Sequence, residues 1–96
     1  MAIRLATEET KTISDTIYGF DKNAAIFLFG SRTDESKKGG DIDLLIISGK
    51  ILYNERRKIK LELLKKLGDR KIDLIIADNP DKNAFIQFAY KHGVKL

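Results

Sequence analysis

Residues 41–48 read DIDLLIIS and residues 71–77 read KIDLIIA. In both, an Ile-Asp-Leu step opens a short run of Leu and Ile, and in the first a glycine, Gly49, stands just beyond the run. Runs of this length and composition predict buried strands. Working outward, residues 24–29 (AAIFLF) form a third continuously apolar run, closed by Gly30. Residues 53–67 return to a helical period, with Ile59, Leu63, Leu64 and Leu67 on one stripe, Asn54 as a candidate cap and Gly68 as the stop. Residues 7–20 place Ile13, Ile17 and Phe20 at helical spacing, with Gly19 as an end signal. Asn79-Pro80 marks a turn or helix start, and residues 80–92 read as a last helix with broad apolar coverage. Between the first two strands, SRTDESKKGG is polar throughout. There Ser31 can cap a short turn, with Asp34 three residues on, and Gly39-Gly40 ends it. The order predicts a single domain over residues 1–96. Its class is α/β (α+β), a small mixed sheet of about three strands packed with helices.

Composition narrows the chemistry. A chain of 96 residues has room for one core. No cysteine is present, which removes disulfides, thiol catalysis and thiolate metal sites and fits a reducing cytoplasm. A single His nearly excludes a His-rich metal site or a serine-hydrolase triad. No apolar run spans a membrane, and the first twenty residues do not read as a signal peptide. The formal charge of +4 is compatible with nucleotide phosphates or nucleic acid, and equally with an ordinary solvated surface.

Asp41 and Asp43 stand two apart on a strand, so their side chains share a face about 6.5–7 Å apart along the backbone. Two carboxylates so placed repel unless a cation or proton intervenes, and hard divalent cations accept an all-oxygen set. Acidic residues also open strands simply because that end is wet. Asp73 occupies the position in its run that Asp43 holds in the other. If the two strands are neighbours, three carboxylates gather at one sheet edge, a natural count for a two-metal site; otherwise Asp73 caps its strand or pairs with Lys71. Gly30-Ser31, after a buried strand, can turn the backbone towards an anion and aim N–H groups and a hydroxyl at it. Arg32 can add a bidentate phosphate contact, and Lys37 and Lys38 a positive field. A Gly-Ser pair is common, and a plain helix cap is the alternative.

Phe29-Gly30-Ser31-Arg32, a short polar segment, then Gly40-Asp41-Ile42-Asp43-Leu44 resembles the signature of the polymerase β nucleotidyltransferase superfamily. With no second domain, the chain is similar to its minimal nucleotidyltransferases, which include antitoxins paired with HEPN-domain toxins. The resemblance covers residues 24–77 by motif and the whole chain by element order. It implies the polymerase β-like nucleotidyltransferase fold and transfer of a nucleoside monophosphate, AMP from ATP first, from a nucleoside triphosphate to a hydroxyl. In that scheme Asp41, Asp43 and Asp73 hold two Mg²⁺ ions, Asp73 serves the acceptor, and Gly30, Ser31 and Arg32 hold the outer phosphates. The implied acceptor is a tyrosine of a HEPN-type partner or a small-molecule hydroxyl of aminoglycoside type, with a partner subunit or a second copy completing the acceptor half. Thr33-Asp34-Glu35 departs from the small residue and further Gly that many members carry, adding negative charge beside the expected triphosphate.

Other residues read more plainly. His92 is expected at a helix end, and Tyr18, Tyr53 and Tyr90 as partly buried core or interface residues, with stacking on a base as the alternative. Arg56, Arg57, Lys58, Lys60, Lys65 and Lys66 read as a solvated helix face, with nucleic-acid or partner binding as the alternative. A regulatory subunit that masks its partner sterically is the competing function.

Overall fold

A computed structural model describes residues 7–29, 42–68 and 71–96. The order is α1 (Thr7–Tyr18), β1 (Ala25–Phe29), β2 (Ile42–Ile47), a 3-10 turn (Tyr53–Glu55), α2 (Arg56–Leu67), β3 (Ile72–Ala77), α3 (Ala84–His92) and β4 (Val94–Lys95). The sheet runs β3-β2-β1-β4, with β1 antiparallel to both β2 and β4 and with β2 parallel to β3. The parallel step needs a crossover, and α2 supplies it. The small α+β fold with a mixed sheet is the one expected; the expected short turn after Ser31 lies outside the described residues.

Strand alternation explains the layers. Ile26, Leu28, Ile42, Leu44, Ile46, Ile72 and Leu74 point to one side and meet Ile13 and Ile17 of α1 and Ile59 and Leu63 of α2. Phe27, Leu45 and Ala77 point to the other side and meet Ile86 and Ala89 of α3. Helices therefore cover both faces, which is why the strands read as continuous apolar runs rather than as polar–apolar alternation. The first face is buried except at Ile76, at the far end of β3, which is half-buried. On the second, Ala25, Phe29, Asp43, Ile47, Asp73 and Ile75 are only half-buried.

Three local expectations shift. Asn54 does not cap α2, because Leu52 is extended and the chain enters through the 3-10 turn. The Glu55 carboxylate instead accepts the Leu52 N–H at 2.9 Å, and the helix starts at Arg56. The last helix begins at Ala84 rather than near Pro80, because the Asn83 side chain takes the Ile86 N–H at 2.9 Å and caps it. The sheet has four strands rather than three. The fourth is two residues long, too short to carry a period, and forms only because β1 offers it an edge, with Leu96 N–H donating to the Ile26 carbonyl at 2.9 Å. Gly68, at φ +86°, does end α2 as expected.

The helix face carrying the basic residues is not wholly solvated. Arg56 Nε donates to the Leu74 carbonyl at 2.8 Å, and Lys66 Nζ donates to Thr16 Oγ1 at 3.0 Å. The odd-numbered carbonyls at Lys71 and Ala77 accept from β2 and the residue after it, so the Leu74 carbonyl faces outward. Arg56 thus covers part of the β3 edge, where open backbone groups invite pairing with another chain.

At the end of β2, Ser48 and Asp21 are both 6 % exposed. Ser48 Oγ donates to Asp21 Oδ2 and accepts the N–H groups of Lys50 and Ile51, while Asp21 Oδ1 accepts the Asn23 N–H. This knot ties the turn before β1 to the turn after β2. The Ser48 hydroxyl chiefly, then the Asn23 N–H, hold the Asp21 carboxyl below its ordinary value of 3.8, against the opposing effect of burial.

Two outcomes follow from this packing. A depressed folded value means that Asp21 stabilises the fold above its unfolded pKa, and that this contribution disappears as pH falls through the folded value. Denaturant midpoints between pH 7 and pH 2 should therefore fall less steeply for Asp21→Asn than for the parent. Gly93 passes so close to its neighbours that a Cβ there would stand 2.6 Å from the Ala89 carbonyl oxygen and 3.0 Å from that of Leu28. Gly93→Ala should cost about 1–3 kcal/mol by guanidinium denaturation, with faster amide exchange at Leu96.

Candidate functional site

The register of β2 decides where the acids lie. Asp43 pairs with Asp73 across the parallel β2–β3 ladder and with Phe29 across the antiparallel β1–β2 ladder. Neighbouring strands are about 4.8 Å apart, so the two aspartates sit side by side on one edge of the sheet. Both belong to the odd-numbered set that faces α3, and both are half-buried. The next odd residues along the strands, Leu45 and Ile75, also pair with each other and give the carboxylates an apolar floor. Isoleucines 42 and 72 flank the acids on the sealed face and fix which way the strands turn.

The local sequence explains the position. A one-residue slip would drive either aspartate into the α1–α2 core, where an unpaired charge is expensive. The acids are tolerated because they come at the start of β2 and β3, where the strands emerge from the core and α3 packs mainly on β1 and β2. Like charges set directly opposite destabilise a sheet, and a pair of carboxylates on one face is a donor set suited to a hard divalent cation. Among the described residues no group of three or more His, Cys, Asp or Glu is gathered for a metal.

Of the residues expected at the site, Asp43 and Asp73 are brought together. Asp41, Gly30, Ser31 and Arg32 lie outside the described residues, as do Thr33-Asp34-Glu35, Lys37 and Lys38. In sequence Gly30 directly follows Phe29, which is paired with Asp43, and Asp41 directly precedes Ile42, which is paired with Ile72.

Residues 11–96 match the family described as Polymerase beta, Nucleotidyltransferase. The chain belongs to the polymerase beta nucleotidyltransferase family. The match spans every strand of the sheet, and membership of this family implies a nucleoside triphosphate substrate. No curated protein matches the chain. No helix among the described residues is long and apolar enough to cross a membrane.

Other features of this nucleotidyltransferase domain fall away from the acids. A groove of about 480 Å³ between α1 and α2, lined by residues such as Asp15, Phe20, Leu61 and Lys65, lies on the opposite side of the sheet. His92 is the last residue of α3, its ring 4.6 Å from that of Phe88, as a helix-end residue should be. Tyr90 packs edge-on to Phe27 at 4.8 Å. Tyr53 is not partly buried as expected but 82 % exposed, because the 3-10 turn that replaces the start of α2 carries it outward.

Sequence reasoning missed the aromatic partner of Phe29, the residue that pairs with Asp43. Phe85, on α3, has its ring centre 5.8 Å from that of Phe29. Helical spacing could not have found it, since the contact is set by where α3 crosses the sheet.

The opposed acids make a simple check available. In buffer free of divalent cations, Asp73→Asn should be as stable as the parent or more so, by up to about 1 kcal/mol. Guanidinium denaturation measures it, and a clear loss of stability would mean that Asp73 serves the fold rather than the edge.

Proposed function

We propose that this domain transfers a nucleoside monophosphate, AMP from ATP in the first instance, to a hydroxyl acceptor. The observation that carries the reading is the Asp43–Asp73 pair, in register on one face beside Phe29, the residue that leads into Gly30-Ser31. A family match over residues 11–96 supports it.

The donor chemistry of the pair suits Mg²⁺, which takes oxygen ligands from one or two carboxylates and substrate phosphates. Asp43 and Asp73, joined by Asp41 in the motif, would hold the two ions, which neutralise charge on the entering and leaving oxygens. Gly30 and Ser31, with Arg32, would hold the outer phosphates through backbone N–H groups, the hydroxyl and the guanidinium. The acceptor oxygen forms a bond to the α-phosphorus, the bond from that phosphorus to the bridging oxygen breaks, and pyrophosphate leaves. The acceptor proton passes to the Asp73 carboxylate. Most of the acceleration comes from positioning and charge neutralisation. Asp34 and Glu35, close in sequence to the phosphate residues, weaken the hold on the triphosphate relative to family members with a small residue and Gly there.

The acceptor we favour is a tyrosine hydroxyl on a HEPN-type partner, which would make the chain an antitoxin; a second copy completing the site is compatible with this. The competing reading, a subunit that masks its partner without catalysis, draws support from the exposed Phe85, Phe88, Leu52 and Tyr53. One variant separates the two. Asp43→Asn should cut transfer of label from ATP, with Mg²⁺ and the partner, by at least about a hundredfold, with an unchanged circular dichroism spectrum. Addition of Mg²⁺ should raise the melting temperature of the parent and not that of the Asp43→Asn, Asp73→Asn double variant. Undiminished transfer by Asp43→Asn would sink the assignment, and partner inhibition that survives the substitution would favour the steric reading.

A further inference from the structure

At the edge of the sheet the paired row runs Asp73, Asp43, Phe29. The row does not stop there, for Phe85 in the first turn of α3 sets its ring against Phe29 at 5.8 Å and 77° between planes. Alternation puts the three strand residues on the face that α3 covers, so carboxylates and rings share one surface. Phe85 is 52 % exposed, although the next residue, Ile86, is buried to 5 % and Ala89 completely. The helix is thus fully seated by Ile86 and Ala89, and seating it does not account for a half-exposed ring beside a charged edge.

We propose that Phe85, backed by Phe29, is the platform on which the nucleobase of the donor stacks. The proposal rests on the transfer reading above and extends it, since nothing in that chemistry requires an aromatic surface. Three points support it. Asp43 stands one strand width, about 4.8 Å, from Phe29, and the Phe85 ring lies a further 5.8 Å from that of Phe29, which leaves room for a ribose between a phosphate held at the acids and a base held at the ring. The edge-to-face contact with Phe29 steadies Phe85, and ordered aromatic rings make good stacking surfaces at small entropic cost. A ring reads the π-face of any base, so the platform adds affinity for nucleotides with little preference among them.

A protein without tryptophan allows a direct optical test. Phe85→Trp would carry a lone indole, and Mg²⁺–ATP should quench its fluorescence saturably, whereas Mg²⁺–tripolyphosphate, which has phosphates and no base, should not. By calorimetry Phe85→Ala should bind Mg²⁺–ATP about 5- to 150-fold more weakly than the parent, and tripolyphosphate about as tightly. In transfer assays the loss should fall on KM for ATP more than on kcat, with recovery in Phe85→Tyr. Circular dichroism checks that each variant is folded. Parent-like ATP affinity in Phe85→Ala, or equal loss for ATP and tripolyphosphate, would overturn the platform while leaving the transfer reading intact. A parent that binds neither ligand overturns the transfer reading and the platform with it.

Discussion

Everything in this fold is arranged around the seating of β2 between two partners of opposite direction. β1 pairs with it antiparallel and β3 parallel, each over most of its length. A strand hydrogen-bonded on both edges and covered on both faces leaves little room for charge, and Ile42, Leu44, Leu45 and Ile46 are all fully buried. Charge can stand only where the strand enters the core. Asp43 is there on β2, and Asp73 meets it because the parallel ladder aligns the two Ile-Asp-Leu steps residue for residue.

The two ends of β2 treat carboxylates in opposite ways. At the far end Asp21 is buried yet satisfied, taking the Ser48 hydroxyl and the Asn23 N–H, and it closes two turns against each other. That arrangement is structural: the donors are internal and the charge is consumed by the fold. At the near end Asp43 and Asp73 stand half-buried and side by side above an apolar floor. Two carboxylates set in register on one face form an all-oxygen donor set of the kind a hard divalent cation accepts. One physical rule bears on both ends, that a buried carboxylate must find donors, a cation or a proton.

α3 does two jobs on the remaining face. Ile86 and Ala89 close the second core against Phe27, Leu45 and Ala77. Its flanks carry Phe85 towards Phe29 and Tyr90 towards Phe27. The helix is short and covers the face incompletely, which is why Asp43, Asp73 and Ile75 keep partial access to solvent.

Much of this was legible in the chain. The apolar runs at 24–29, 41–48 and 71–77 declared strands covered on both faces, the Ile59–Leu63 stripe declared α2, and the repeated Ile-Asp-Leu step declared two equivalent strand openings. These are local patterns, and local patterns survive into the fold when burial rewards them. Boundaries set by competing hydrogen bonds were not legible: Glu55 reaching Leu52 moved the start of α2, and Asn83 reaching Ile86 moved the start of α3. Nor was β4 legible, which exists only on the edge of β1. By itself the sequence determined which residues are acid, which are apolar and at what spacing, and so the family and the chemistry on offer. Only the tertiary structure decided that β3 lies parallel beside β2 in a register that sets Asp73 against Asp43, and that Phe85 reaches Phe29. Strand order and helix crossing are long-range choices, made by the packing of both sheet faces at once, and no window along the chain contains them.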